Sequence, residues 1–140
     1  MAFYQDLKTG ILYECLTIER LHQLNQHTHH EPNKPNPFYD IACTGESGTY
    51  TIEVKYNGAP SKFWIELSKD QDHKPSGLSI TQADYYVLIH EHDLIPRIIP
   101  TSRLKQLTTD TKNRTLRIDN NGYLNAVFNR EWLYSHCEIL

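Results

Sequence analysis

A regular alternation of apolar and polar residues marks one segment of the chain as a β-strand. Apolar residues occupy every second position over 50–56, and polar residues, including Glu53 and Lys55, lie between them. Because side chains in a strand alternate between its two faces, Glu53 and Lys55 are predicted to point the same way, one pleat apart. The preceding segment, 37–43, is also strand-like. Two glycines in the break at 44–48 predict a hairpin between the two strands.

This hairpin brings Asp40, the acid of its first strand, beside Glu53 and Lys55. Two carboxylates held a few ångströms apart repel each other, so a cation between them is favourable. Mg²⁺ takes oxygen ligands, often one or two carboxylates with waters, and it activates water near a phosphate while an ammonium orients that water. Glu-x-Lys is also common on the solvated face of an edge strand, and the sequence leaves that alternative open.

Asp40 followed by Glu53-Val54-Lys55 on the next strand resembles the PD-(D/E)XK nuclease superfamily, whose members cut nucleic-acid phosphodiesters with Mg²⁺. The resemblance implies that Asp40 and Glu53 are metal ligands and that Lys55 is the catalytic lysine. Tyr39 stands where the family often has proline, so the first part of the motif is degenerate. The resemblance also implies Mg²⁺ as the cofactor, with Mn²⁺ as a substitute, and DNA as the substrate.

A helical repeat of apolar residues predicts a long N-terminal helix over 3–26. Glu14 falls inside the apolar stripe of this helix rather than opposite it. A carboxylate in that position needs a partner, because burying a lone charge is costly. Pairing with an arginine is one explanation; the resemblance implies another, in which Glu14 is a third acid at the metal site. The stripe consists of Leu7, Ile11, Cys15, Ile18 and Leu21.

The segments after the hairpin predict a strand over 63–67, a helical turn capped by Thr81, and a buried strand over 85–89. Phe-Trp-Ile-Glu followed by Pro-Ser-Gly-x-x-x-Thr-x-Ala-Asp-Tyr-Tyr resembles an arrangement in small phage-type PD-(D/E)XK nucleases, so the resemblance covers 14–89. The role of Glu66, at the site or exposed, stays open. Further predictions are a strand at 97–99, a helix over 103–108, a turn at 119–122 and a final helix within 129–140.

Basic residues are concentrated between positions 97 and 117, where six of them accompany a single acid, Asp110. Such a run is commonly a solvated surface, and it is also the one segment basic enough to hold a phosphate backbone. The candidate nucleic-acid contacts are Lys62, Lys74, Arg97, Arg103 and Lys105, with Lys69 on the loops that border the hairpin.

Composition narrows the class of protein. A chain of 140 residues with 39% hydrophobic content predicts one domain over 1–140, and the absence of a long apolar run or a signal-peptide pattern predicts a cytoplasmic protein without a membrane partner. Three widely spaced cysteines predict reduced thiols. The net charge of −3 means that nucleic-acid binding needs a local basic patch.

His27, His29 and His30 lack the further ligands of a zinc site and are predicted in a proline-rich connector.

These observations predict an α/β, restriction-endonuclease-like domain with a mixed central sheet begun by the hairpin and flanked by helices. The resemblance implies Mg²⁺-dependent hydrolysis of DNA by an enzyme similar to phage endonucleases and Holliday-junction resolvases, and a homodimer suits a substrate with two strands. Two other classes stay open: an inactive nucleic-acid-binding module on a nuclease-like fold, and a protein-interaction domain whose acids are incidental. The sequence does not choose between DNA and RNA, between substrate structures, or between one metal and two.

Overall fold

A computed structural model of the protein describes residues 2–29, 39–69 and 74–140, with the side chains of the first helix described from Gly10 onward. The helices and strands of these residues are α1 (Ala2–Gln23), β1 (His27–His29), β2 (Ile41–Gly45), β3 (Gly48–Asn57), β4 (Lys62–Lys69), β5 (Lys74–Pro75), β6 (Tyr85–His90), β7 (Arg97–Pro100), α2 (Thr101–Leu107), β8 (Arg114–Ile118), β9 (Tyr123–Asn129), α3 (Arg130–Tyr134) and β10 (Glu138–Ile139), with a 3-10 turn at Gly77–Ser79.

The strands form two sheets. The first has the order β1-β2-β3-β6-β7-β10, and the second has the order β5-β4-β9-β8. In the first sheet β3 and β6 run parallel and the other neighbours run antiparallel, so the predicted α/β class with a mixed sheet is confirmed. The second sheet was not predicted, and β4 belongs to it through its pairing with β9. The pattern of one strand specifies which face is buried, not which distant strand it pairs with.

Each face of the first sheet packs against a different layer. On one face Tyr13 and Leu21 of α1 pack against Ile52, Val87 and other apolar residues of the central strands. On the other face the apolar side chains of β6 and β7 pack against the second sheet, α2 and α3. This second core contains Phe63, Ile65, Leu78, Tyr86, Leu88, Ile99, Leu104, Leu107, Ala126, Phe128 and Leu133. Helices thus flank the mixed sheet as predicted, with α1 on one face and α2 and α3 on the other, where the second sheet was not predicted.

The helix α1 is confirmed, but its buried face differs from the predicted stripe. Tyr13, Thr17 and Leu21 are buried, at a spacing of one helical turn, whereas Cys15 is exposed. Tyr13 stacks on Tyr56 of β3 with ring centroids 4.6 Å apart. Thr17 fits in the core because its hydroxyl donates a hydrogen bond to the Tyr13 carbonyl. The predicted stripe is confirmed at Ile18 and Leu21 and wrong at Cys15, because it counted aliphatic residues and omitted this tyrosine and threonine.

The hairpin of β2 and β3 is confirmed, with a turn shorter than predicted. Thr44 pairs with Thr49 and Gly45 with Gly48, so the chain reverses at positions 46–47. His27–His29, predicted in a connector, instead pairs with β2 as an edge strand. The remainder of that predicted connector and the first two residues of the predicted strand 37–43 lie at 30–38, outside the described residues.

Several downstream predictions are confirmed with changed bounds. The buried strand at 85–89, the short strand at 97–99 and the helix near 103–108 are β6, β7 and α2, and the turn at 119–122 joins β8 to β9. Thr81 does not begin the helical turn but follows it. The final helix is short, because α3 ends at Tyr134 and β10 then pairs with β7. Across the described part of the chain, no helix is long and apolar enough to cross a membrane.

Candidate functional site

A cleft of about 400 Å³ lies beside the second half of β3. The antiparallel pairing of β2 with β3 ends at Ile41 and Ile52, so the last five residues of β3 extend beyond β2. The cleft is lined from α1, β3, β4, β9 and the turn after β8. Its lining residues are Gly10, Glu14, Asp40, Glu53, Val54, Lys55, Tyr56, Asn57, Trp64, Glu66, Asp119 and Asn125.

Asp40 lies at the open end of the hairpin, away from its turn, and is held there by two hydrogen bonds. Its backbone N–H donates to the Ile52 carbonyl at 2.9 Å, and its carboxylate Oδ2 accepts from the Val54 N–H at 2.7 Å. The register that pairs Ile41 with Ile52 places Asp40, one residue earlier, opposite Glu53. Directly opposed residues in an antiparallel pair point to the same face, and both carboxylates line the cleft.

Glu53 is a cleft carboxyl group whose pKa is strongly raised. Burial, followed by repulsion from the charge of Asp40, raises the pKa of Glu53 to about 8. The charge of Lys55 lowers this pKa, whereas those of Glu14 and Glu66 raise it. Without a cation, Glu53 is therefore largely protonated at neutral pH. The carboxylates of Asp40 and Glu53 are close enough that ionisation of one opposes ionisation of the other.

Asp119 is a further acid of the cleft, anchored by the turn between β8 and β9. Its Oδ1 accepts backbone N–H bonds from Asn121 at 2.9 Å and from Tyr123 at 3.0 Å. Its Oδ2 accepts from the side-chain amide of Asn125 at 3.2 Å. Burial alone would raise the pKa of Asp119, but these bonds and the charge of Lys55 outweigh burial and lower it. The charge of Lys55 therefore acts on Glu53 and on Asp119 together.

Sequence reasoning missed Asp119 and Asn125 as site residues. Asp119 was assigned to a turn, which it does form, and Asn125 belongs to β9, for which no strand was predicted. The Asp-Asn-Asn-Gly pattern signals an acid whose carboxylate is fixed by its own turn. It does not signal which cleft that carboxylate faces.

Glu14 and Glu66 complete the walls of the cleft from α1 and β4. Glu66 is positioned by the 3-10 turn, where Gly77 has a positive φ of 51°. A Cβ on Gly77 would come within 2.4 Å of the Glu66 carbonyl oxygen, so the close approach of this turn to β4 requires glycine. The sequence left open whether Glu66 lies at the site or is merely exposed. The structure places it on the border of the same cleft as Glu53.

The cleft is strongly acidic. Its lining contains five carboxylates (Glu14, Asp40, Glu53, Glu66 and Asp119) and the single ammonium of Lys55. Within the described ranges, no group of three or more His, Cys, Asp and Glu side chains has the spacing of a complete metal-ligand set. The carboxylates of Asp40 and Glu53 nevertheless fit Mg²⁺ or Mn²⁺. Mg²⁺ is commonly held by one or two carboxylates and completes its coordination with water.

The candidate nucleic-acid residues are not part of the described lining of this cleft. Lys62 and Lys74 are exposed on strands of the second sheet, and Arg103 and Lys105 are exposed on α2. Arg97 is engaged elsewhere: its Nη1 lies 3.0 Å from the Asp93 carboxylate, and its guanidinium lies 4.0 Å from the Tyr134 ring centroid.

No model of a known protein family matches the chain, and a search of curated proteins finds no similar sequence.

Proposed function

We propose that the protein is a Mg²⁺-dependent endonuclease that hydrolyses DNA phosphodiester bonds on a restriction-endonuclease-like fold of the PD-(D/E)XK type. One observation carries the proposal: Asp40 and Glu53 meet across the β2–β3 hairpin in a cleft that also contains Lys55. The proposed fold is supported by the order of elements along the chain: a helix, a hairpin that carries the acids, and a strand that pairs parallel to β3.

Each residue of the cleft has a separate role in this proposal. Asp40 and Glu53 would hold the metal, with Asp40 oriented by its bond from the Val54 N–H. A bound Mg²⁺ supplies Lewis-acid stabilisation and lowers the pKa of coordinated water. Lys55 orients the nucleophilic water and offsets negative charge that develops on the phosphate.

Two acids outside the motif support this arrangement. Glu14 assists the metal site from α1, as an additional or outer ligand. Asp119 is a positioning residue, because the bonds of its turn lower its pKa and its negative charge interacts with the charge of Lys55. The five carboxylates become compatible with a polyanionic substrate once a divalent cation neutralises part of their charge.

An inactive nucleic-acid-binding module is the second candidate. The observation that favours it is that the exposed cations Lys62, Lys74, Arg103 and Lys105 lie outside the described lining of the cleft. A protein-interaction domain with incidental acids predicts that Asp40 lies far from Glu53, and the pairing register of the hairpin argues against that class.

A cleavage panel tests the proposal. Labelled four-way junction, duplex, nicked duplex and single strand, with an RNA strand of the same sequence, are incubated with Mg²⁺, Mn²⁺ or EDTA. We expect cleavage of at least one DNA with either metal and none with EDTA, with paired cuts on a duplex if the predicted homodimer forms. Binding without cleavage in every lane would instead support the second candidate.

The affinity for metal should depend on pH. Because the pKa of Glu53 is raised to about 8, metal must displace a proton from it at neutral pH. We expect Mn²⁺ affinity, measured by calorimetry, to rise by up to about tenfold per pH unit from pH 6 to 8 and then to level off. The Glu53→Gln variant should bind weakly with little pH dependence. A flat profile in the parent would place the metal away from Glu53.

Replacement of Glu14 tests its contribution from α1. We expect Glu14→Gln to lower the cleavage rate about tenfold and to raise the Mg²⁺ concentration needed for half-maximal rate, with an unchanged melting temperature. Glu19→Gln, an exposed glutamate on the same helix, is the matched control. Unchanged activity together with a large loss of stability would make Glu14 a structural residue.

A further inference from the structure

The second sheet has a second face, opposite to the one that carries Phe63 and Ile65. Phe63 and Ile65 of β4 point into the core and are 0% and 1% exposed. Because side chains alternate along a strand, Lys62, Trp64 and Glu66 share the opposite face. We refer to this opposite face of the second sheet as the outer face.

Cross-strand pairing extends the outer face from β4 across β9 to β8. Directly opposed residues of an antiparallel pair point to the same side of the sheet. The face therefore reaches the exposed edge strand β8 and its basic residue. The two rows of paired residues are Glu66–Asn125–Arg117 and Trp64–Val127–Thr115. In both rows the β9 residue is buried, at 5% exposed for Asn125 and 8% for Val127, so the accessible side chains of the face are those of β4 and β8.

The outer face is continuous with the carboxylate cleft. Trp64, Glu66 and Asn125 belong to the outer face and also line the cleft that contains Glu53 and Lys55. A strand of nucleic acid that lies along the outer face would therefore lead directly into the cleft with the proposed catalytic residues.

Trp64 is an aromatic side chain without a core role. Among the described residues, neither hydrophobic core includes Trp64, although it is half-buried at the cleft. Its backbone is fixed by the Asn57 side chain, whose Oδ1 accepts from the Trp64 N–H at 2.7 Å and whose amide donates to the Trp64 carbonyl at 3.2 Å. A large ring at a fixed position in a polar cleft is suited to stacking on a planar ligand.

Two exposed cations flank this ring on the outer face. Lys62 lies two residues before Trp64, and Arg117 lies two strands away in the row of Glu66. Strand geometry separates the two cations by roughly 16 Å, which spans a few nucleotides. In contrast, Arg103 and Lys105 lie on α2, which packs on the core side of the sheets and contacts β6 and β7.

We propose that the outer face is a binding track for single-stranded nucleic acid, with an unpaired base stacked on Trp64 and neighbouring phosphates held by Lys62 and Arg117. The proposal rests on the proposed nuclease function, since the track leads to Asp40, Glu53 and Lys55. A base in a duplex is covered by its own neighbours, so stacking on Trp64 selects an unpaired nucleotide.

Binding measured without hydrolysis tests the track. Fluorescence anisotropy in EDTA compares labelled oligothymidylate, oligouridylate and a duplex of the same length. We expect Trp64→Leu to weaken single-strand binding about tenfold, and Trp64→Phe, which keeps a ring, to stay within about threefold of the parent. Oligouridylate binding as tightly as oligothymidylate would identify a track for either nucleic acid, and a preference for one would identify its sugar.

A second pair of variants tests the phosphate contacts. Arg117→Gln should weaken binding at every sequence and reduce the slope of log affinity against log salt by about one. Arg103→Gln, an exposed arginine on α2, is the matched control and should leave the slope unchanged. A reversed result, in which Arg103→Gln changes the slope and Arg117→Gln does not, would overturn the track in favour of α2.

The outcomes separate the track from the nuclease proposal. Trp64-dependent binding of single strands without cleavage in Mg²⁺ would retain the track and reject the nuclease. Metal-dependent cleavage with equal binding by the parent, Trp64→Leu and Trp64→Phe would retain the nuclease and reject the track. Melting temperatures close to that of the parent establish that each variant is folded.

Discussion

Replacing Lys55 with alanine is expected to slow single-turnover DNA cleavage by about a thousandfold. The side chain lies one pleat from Glu53, and it supplies the one ammonium among the described residues of an acidic cleft. Its loss removes both the orientation of the nucleophilic water and the charge that balances the phosphate. Affinity for DNA should stay within about threefold of the parent, because binding is spread over many contacts. Rates and affinities are measured on the best substrate of the cleavage panel.

Lys105→Ala is the matched control for this prediction, since Lys105 is an exposed lysine on α2 outside the cleft lining. It should cleave at the parent rate. If Lys55→Ala also kept the parent rate, the amine would not act at the scissile phosphate. If rate and affinity fell together, Lys55 would contribute to substrate binding rather than to the chemical step.

Replacing Glu53 with glutamine should have opposite effects on activity and on stability. Cleavage should fall by at least about a hundredfold, because a metal-binding carboxylate becomes a neutral amide. In EDTA at pH 7, however, the variant should be more stable than the parent by about 3 kcal/mol. For a domain of this size that difference corresponds to an increase of about 10 °C in melting temperature.

The direction of the stability effect follows from proton linkage. The pKa of Glu53 is raised from 4.5 to about 8 in the folded protein, chiefly by burial and then by Asp40. Between these values the folded state binds more protons than the unfolded state, so stability of the parent falls as pH rises from about 4.5 to 8. Glu53→Gln removes this loss, and Mg²⁺ should stabilise the parent but not the variant.

Glu46→Gln, which changes an exposed glutamate in the hairpin turn, is the control for the stability measurement. Its melting temperature should follow that of the parent across the same pH range. A parent and a Glu53→Gln variant with parallel melting curves from pH 5 to 8 would contradict the electrostatic account of the cleft.

The central geometry of the site could be predicted from local sequence. The alternation over 50–56 predicted the common face of Glu53 and Lys55, and the two glycines of the turn predicted the hairpin that brings Asp40 beside them. The register that sets Asp40 opposite Glu53 comes from a turn shorter than the predicted one. These features depend on residues within one hairpin, where turn length and alternation determine pairing.

Features that depend on distant pairing could not be predicted in the same way. The pattern of β4 shows that Phe63 and Ile65 are buried, but its partner β9 lies about sixty residues later in the chain. For the same reason Asp119 was identified as a turn residue, whereas its position beside Lys55 follows from the packing of the second sheet. The buried face of α1 was predicted only in part, because Tyr13 and Thr17 carry hydroxyl groups and were not counted as core residues. They are buried because Tyr13 stacks on Tyr56 and the Thr17 hydroxyl donates a hydrogen bond within the helix.

The most direct test of a metal-dependent phosphodiesterase site compares the parent with Asp40→Asn, purified identically and assayed on the same labelled DNA panel in Mg²⁺. Asp40→Asn retains an oxygen that can accept the bond from the Val54 N–H, so it should fold like the parent and give a similar melting temperature. We predict that the parent cleaves at least one DNA and that Asp40→Asn cleaves it at least about a hundredfold more slowly. Equal cleavage by both preparations, or none by the parent in either Mg²⁺ or Mn²⁺, would contradict the assignment of this cleft as a nuclease site.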